Sequence, residues 1–403
     1  MKIVLAPDSF KGSLSANEAC SAMASGILKA DPDADIDRIP VADGGEGTVE
    51  ALVAATSGRM KHAVVTGPLG GRVRASWGVL GDGRTAVIEM AAASGLAQIP
   101  EAKRDPLKTT SYGTGELIRA ALDRGFRKFI IGLGGSATTD CGTGMAQALG
   151  ARFEDGAGCE MRRPMTGGSM GLVSRVDASG MHPGLARSKI LIACDVRNVL
   201  LGPEGAARVF SPQKGADPAA VRLLEKNLNR VIGRIEKAVG RNVRGLPGAG
   251  AAGGAGAGLL AFTPGTLKPG IGIVLDAVCF QSRIRDADWI FTGEGRVDSQ
   301  TVFGKAVSGI AAAAASLSVP VIVIAGSVEP GSNALLKKGV TAIFSLCPGP
   351  ADLDQAMDSA GPWLEAASFR VMRIITASFP GRGKARRRRR GTGQAASPKQ
   401  GLA

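Results

Sequence analysis

Acidic side chains stand repeatedly in glycine-bearing loops of this 403-residue chain: Asp8, Asp43 with Glu46, Asp140, Asp195, and Glu294 with Asp298. A carboxylate in such a loop can hold Mg2+ or accept a hydroxyl proton during phosphoryl transfer; it can equally do no more than cap a helix. Asp8 and Asp195 each follow an apolar strand, which favours chemistry for those two, while for Asp43 and Asp140 the roles stay level. Cations stand near the same loops: Lys11, Lys214 in Phe210-Ser-Pro-Gln-Lys214, Arg296 and Lys305. A small anionic substrate or a nucleotide phosphate needs such partners, although a lysine is more often a solvated surface charge.

The strongest local signal is the run Leu133-Gly-Gly-Ser-Ala-Thr-Thr-Asp140, entered from the apolar strand Phe129-Ile-Ile-Gly132 and left into a helix. Gly134 and Gly135 free backbone N–H groups to face an anion, Ser136 and the threonines add hydroxyls, and a helix N-terminus adds its dipole. A tight strand-to-helix turn needing positive φ explains the glycines equally well. No G-x-x-x-x-G-K-[ST] motif occurs. Gly248-Ala-Gly-Ala-Ala-Gly253 matches G-x-G-x-x-G, but Gly245-Leu-Pro247 precedes it instead of a buried strand, so a dinucleotide site there is set aside. With two histidines in the chain, His62 and His182 in ordinary contexts, the sequence argues against a His triad or a multi-imidazole zinc site. The three tryptophans (77, 289, 363) read as packing residues.

These loops need elements to hold them. Lys2–Ala6 reads as a strand, Ser13 or Ser15 as the cap of a helix to about Leu28, Ile36–Ala42 as a second strand, and 49–55 as a helix after Asp43-Gly-Gly-Glu-Gly-Thr48. The C-terminal third repeats the pattern: strand 289–292, helix 304–317, strand 320–325, short helix 331–338, strand 341–346 and a final helix 352–377. Strands alternating with helices indicate parallel βαβ units, so both chain ends are expected to build one doubly wound sheet. The middle reads as an inserted mixed α/β domain, with antiparallel-looking runs at 63–65, 75–80 and 85–90 and helices at 115–123, 145–149 and 217–239. The expected boundaries are 1–60 with 287–380 for the first domain, 61–286 for the insert, and 381–403 for a disordered basic tail, with substrate in the cleft between the two domains.

Charge sorts the function classes. The chain carries +14, but the tail holds eight Lys and Arg, five of them in Arg386–Arg390, and no acid, leaving +6 over residues 1–380. Basicity therefore argues for nucleic-acid contact only through the tail, and an aromatic content of 4% lacks the stacking residues of a single-strand reader. The longest apolar stretch, 309–326, is broken by Ser316, Ser318 and Pro320 and reads as helix, turn and strand, so no membrane insertion is expected. Nothing at the N-terminus reads as a signal peptide. Six cysteines without a C-x-x-C pair fit neither a disulfide framework nor a zinc site, and point to a cytoplasmic protein.

Taken in order, the segments Ala6-Pro-Asp-Ser-Phe-Lys-Gly-Ser-Leu-Ser15, Val41-Ala-Asp-Gly-Gly-Glu-Gly-Thr48, Thr109-Thr-Ser-Tyr-Gly-Thr-Gly-Glu-Leu-Ile118 and Gly134-Gly-Ser-Ala-Thr138 resemble the bacterial glycerate kinase family of the non-P-loop type. Ala193-Cys-Asp-Val196, Pro212-Gln-Lys-Gly-Ala216, Pro247–Gly254 and Phe291-Thr-Gly-Glu-Gly-Arg-Val-Asp-Ser-Gln300 continue the resemblance, which covers residues 1 to about 377. It implies a flavodoxin-like domain from both chain ends, and phosphorylation of D-glycerate by ATP with Mg2+ to 2-phosphoglycerate. On the matching motifs, Asp195 or Asp8 is the candidate base, and Lys11 and Arg296 neutralise the carboxylate and the transferred phosphoryl group. Gly134, Gly135, Ser136 and Asp140 are assigned to the nucleotide, Ser9, Asp43 and Lys214 to the substrate, and Glu294 and Asp298 to Mg2+. Three departures stand out: Cys141 where the family usually carries Gly, Arg197-Asn-Val199 in place of an Asn-Pro pairing, and Arg162-Arg-Pro164. The rivals are a kinase for another small hydroxy acid, a 3-phosphoglycerate product, an NAD-dependent oxidoreductase using 248–253, and a basic nucleic-acid-binding protein.

Overall fold

The strands that lead into the loops of Asp8, Gly134, Asp195 and Glu294 all form in the computed structural model of the protein, which describes residues 1–299, 301 and 306–378. Lys305 and the basic tail lie outside the described residues. The chain runs β1 (Lys2–Leu5), α1 (Ala16–Ala30), β2 (Asp35–Arg38), α2 (Thr48–Ala55), β3 (Arg59–Thr66), β4 (Arg72–Val79), β5 (Thr85–Glu89), α3 (Ala91–Ser94) and α4 (Tyr112–Asp123). Next come β6 (Lys128–Gly132), α5 (Thr143–Ala148), β7 (Arg152–Glu154), β8 (Arg175–Asp177), β9 (Lys189–Ala193), α6 (Ala206–Phe210), α7 (Pro218–Val239), α8 (Ala251–Phe262), β10 (Thr266–Lys268), α9 (Gly270–Ala277) and α10 (Phe280–Arg283). The last stretch holds β11 (Trp289–Thr292), β12 (Arg296–Val297), α11 (Ala306–Ala315), β13 (Val321–Ala325), β14 (Ser327–Val328), β15 (Val340–Ser345), α12 (Leu353–Asp358) and α13 (Ala360–Ser378). Contacts divide it into one unit of Met1–Ile39, Gln281–Val302 and Ile310–Ala403, and a second of Pro40–Phe280 and Phe303–Gly309.

In the first unit five parallel strands lie in the order β15-β13-β11-β1-β2. Renumbered within the unit this is 2-1-3-4-5, the flavodoxin-like doubly wound order. Its core joins Ile3, Leu5, Phe291, Ile322 and Ile324 to Ala19, Met23 and Ile27 of α1 and Leu364 and Val371 of α13. The helix start is sharply specified: Ser15 accepts from the Glu18 N–H while Glu18 accepts from the Ser15 N–H, a reciprocal capping box. The last helix differs from the single segment expected. It is broken at Ser359 into α12 and α13, because Pro362 cannot donate to the preceding turn and so opens a new first turn instead. The strand expected to run to Ala42 ends at Arg38, two residues before Pro40.

The second unit carries a mixed sheet ordered β10-β9-β6-β5-β4-β3. Pairs β3–β4 and β4–β5 are antiparallel, as the alternation suggested, whereas β5–β6, β6–β9 and β9–β10 are parallel. The parallel pairs appear where helical crossovers intervene, through α4 for β5–β6, α5 for β6–β9 and α6 to α8 for β9–β10. One core packs Ile88, Phe129, Ile131 and Ile192 of the sheet against Leu117, Ile118 and Leu122 of α4. Another gathers Leu224, Leu228, Val231 and Ile235 of α7 around Phe153 and Leu200. Pro218 at the first turn, Asp217 accepting from the Ala220 N–H and Gly240 at φ +68 bound α7.

Candidate active site

In a sheet ordered 2-1-3-4-5, the crevice lies beyond the carboxyl ends of the strands where the order reverses, here β1 and β11. The first unit places six of the expected site residues in the segments just beyond those two ends: Asp8, Ser9 and Lys11 after β1, Glu294, Arg296 and Asp298 after β11. The loops are tied together directly, the Asp8 N–H donating to the Gly293 carbonyl at 2.9 Å. Asp8 is buried and accepts the Ser9 N–H at 2.6 Å, whereas Lys11 is exposed and therefore able to meet a ligand. Arg296 lies over two carboxylates, with Nε 2.9 Å from Glu329 and 3.5 Å from Asp298. Asp298 also accepts the Thr301 N–H at 3.1 Å. The guanidinium is largely solvated, so these pairs orient it without holding it tightly.

A second constellation forms at the carboxyl edge of the parallel strands in the other unit. Glu89 ends β5, Gly132 ends β6 with Gly134 just beyond it, and Asp195 follows β9. The Asp195 carboxylate accepts the Gly270 N–H at 2.8 Å, at the start of α9. Burial of its surroundings raises its pKa to about 6, the nearby charge of Asp43 adds to this, and the Gly270 bond opposes it. Asp43 itself accepts the Gly45 N–H at 3.0 Å, curling its loop so that Gly44, at φ +93, lies against Ala193 and Gly270. The glycines that precede the Ser136 turn also have a packing role: a Cβ on Gly132 would lie 2.6 Å from the Gly44 oxygen, and one on Gly134 2.7 Å from the Gly45 Cα. Two backbone loops thus touch where side chains could not fit.

Glu89 was not expected from the sequence. It is buried, and it accepts the Val49 N–H at 2.6 Å, serving as the acceptor that Gly47 cannot provide at the N-terminus of α2. Burial pushes its pKa to about 7, against the pull of the Val49 and Gly47 N–H groups and with help from Glu46 and Glu50. The rule that singled out Asp8 and Asp195, an acid at the end of an apolar strand, applies to it as well.

Ser136 and Lys214, expected on different ligands, are directly bonded. The lysine is 3% exposed, and its Nζ donates to Ser136 Oγ at 2.9 Å and to the Thr138 carbonyl at 2.6 Å. Its pKa is lowered to about 7 by burial, with Asp140 opposing the fall. Asp140 is wholly enclosed and binds its turn from inside, accepting from Ser111 N–H and Oγ–H, Gly142 N–H and Gly144 N–H. Burial raises its pKa. Cys141 beside it holds φ +56, the left-handed conformation that explains why a glycine suits this position. Residues 248–253 lead into α8 with no strand ahead of them, and a Cβ on Gly253 would lie 2.6 Å from the Thr139 Cα: they are packing glycines. His62 pairs with Ser76 and His182 with Asp123, while Trp77 packs edge-on against Phe126.

Among the described residues no helix is long and apolar enough to cross a membrane. The family model described as the glycerate kinase family matches residues 3–376. The chain is 53% identical to a protein named glycerate kinase from Bacillus subtilis, over 94% of this chain and 98% of that one. It is 51% identical to a protein named glycerate 2-kinase from Escherichia coli, over 89% and 94%. The crystal structure of a putative glycerate kinase 2 from Salmonella typhimurium superposes with a TM-score of 0.85 at 48% identity, covering 94% of this chain and 99% of that one. A family model that spans residues 3–376 and relatives about half identical along nearly their whole length show that the chain is a kinase and belongs to the glycerate kinase family.

Proposed function

We propose that the enzyme transfers the γ-phosphoryl group of ATP to the 2-hydroxyl of D-glycerate, with Mg2+, releasing 2-phosphoglycerate and ADP. The observation that carries this reading is Asp195, a carboxylate just past a strand end that accepts the Gly270 N–H at 2.8 Å; burial raises its pKa to about 6, which suits a base at neutral pH. It orients the attacking hydroxyl and takes its proton, with Asp43 across the loop sustaining its basicity. Lys11 and Arg296 meet the negative charge of the carboxylate and of the phosphoryl group in flight. The Gly134–Ser136 turn receives nucleotide phosphates, with Asp140 fixing the turn's shape from within. The 2-position is supported by the Escherichia coli relative, named a glycerate 2-kinase.

Among the described residues no group of three or more His, Cys, Asp or Glu side chains converges as a metal cage. Mg2+ seldom uses one: it keeps several waters and takes one or two carboxylates together with substrate phosphates. Glu294 and Asp298 have the donor chemistry for that role, and the metal would neutralise charge on the β- and γ-phosphate oxygens. Six free cysteines agree with a reducing, cytoplasmic setting. The test is incubation with ATP, Mg2+ and D-glycerate, following ADP and identifying the product by phosphorus NMR. Absence of glycerate-dependent ADP rejects the reading; a 3-phosphoglycerate signal corrects the regiochemistry alone. Another hydroxy acid turned over faster than D-glycerate would replace the substrate.

A further inference from the structure

We propose that Lys214, Ser136 and Thr138, with Arg104 at their margin, form an oxyanion subsite in which ligand binding is coupled to proton uptake on the lysine. The inference rests on the kinase reading above and adds the residues and the proton linkage. Its basis is a group of buried donors that the protein itself leaves unmatched. The Lys214 ammonium has three N–H groups, and its two hydrogen bonds go to neutral oxygens, Ser136 Oγ and the Thr138 carbonyl. No carboxylate of the described residues lies within ion-pair distance of it. The acid that acts on it, Asp140, spends its oxygens on Ser111, Gly142 and Gly144.

Thr138 is wholly buried, and its Oγ1 has no hydrogen-bond partner. Arg104 packs its backbone and Cβ against Gly215, the residue after Lys214, and its buried Nε also lacks a partner. Buried polar groups are nearly always paired, and an ammonium enclosed without a counter-charge loses its proton readily. Both deficits are met by one ligand group, the oxygens of a carboxylate or a phosphate, which accept hydrogen bonds and supply negative charge. Burial lowers the lysine's pKa to about 7, so an arriving anion draws a proton onto it.

The anion has two sources, the carboxylate of glycerate and the phosphates of the nucleotide, and calorimetry separates them. D-Glycerate and ADP are titrated separately at pH 8 in two buffers of different ionisation enthalpy. A lysine of pKa about 7 is about one-tenth charged at pH 8, so the ligand occupying the subsite takes up nearly one proton. The other ligand takes up none. Lys214→Met abolishes the uptake. Thr138→Val removes a hydroxyl that has no partner in the free protein, so folding stability is kept while Kd for the same ligand rises about tenfold. Uptake near zero with both ligands in the wild type overturns the proposal, as does unchanged binding in Thr138→Val. Should Lys214→Met fail to fold, the wild-type buffer dependence and Thr138→Val decide the matter. Turnover of glycerate without proton uptake removes the subsite alone, whereas uptake without glycerate-dependent ADP removes the kinase reading alone.

Discussion

Gly270 is the position where one methyl group should separate structure from chemistry. Its N–H holds Asp195, and a Cβ built on it would lie 2.5 Å from the Asp43 carbonyl carbon and 2.9 Å from the Gly44 nitrogen. These are backbone atoms, so no rotamer change relieves the overlap. The Asp43 carbonyl oxygen lies closer still, so relieving the overlap and reaching a normal carbon–carbon contact of about 3.5 Å requires the Asp43 loop and the start of α9 to part by more than about 1 Å. Overpacking of this kind costs about 1–3 kcal/mol of stability, and a misplacement of about 1 Å at a reacting centre costs about 100-fold in rate, or roughly 2.7 kcal/mol. Gly270→Ala is therefore expected to lower kcat/KM about 100-fold while the protein remains folded by circular dichroism. Gly272, two residues along the same helix, is the control: nothing lies within 4 Å of its Cβ position. Gly272→Ala should keep its activity and gain up to about 1 kcal/mol from helix propensity. A Gly270→Ala variant with wild-type kinetics would refute the placement of Asp43 and Asp195 in one working site.

Asp195→Asn should lower kcat/KM by about 100-fold or more, and the acid limb near pH 6 of the wild-type profile, where activity falls as the base protonates, should disappear; a retained limb assigns it to another group. Lys11→Ala should lower kcat/KM about 100-fold through lost anion neutralisation, and near wild-type kinetics would remove that exposed lysine from the mechanism. For Glu89 the folded pKa of about 7 lies above its unfolded value of about 4.3, so the stability it contributes is complete below that lower value and is lost as pH rises through 7. Glu89→Gln keeps an acceptor for the Val49 N–H without the charge. Urea unfolding should show its stability rising relative to wild type between pH 5 and 8, by about 3 kcal/mol or less, and a gap independent of pH would contradict this.

The alternation of short apolar runs with amphipathic segments was enough to establish α/β class, a parallel sheet from both ends and a mixed insert, because residue period reports local geometry directly. The placement of acids after apolar strands, as at Asp8 and Asp195, was legible in the sequence, and the family was legible where motifs followed one another in its order. Other properties depend on contacts distant in sequence. Which neighbour each strand chose, and hence that β5 changes from antiparallel to parallel pairing, is decided by crossovers and packing. That the glycines of 132–134 and 248–254 bring backbones together follows only from the loops opposite them. Above all, charge state was invisible in the chain: Glu89, Asp195 and Lys214 acquire their near-neutral pKa values from burial, and burial is a property of the folded surroundings and not of the residue.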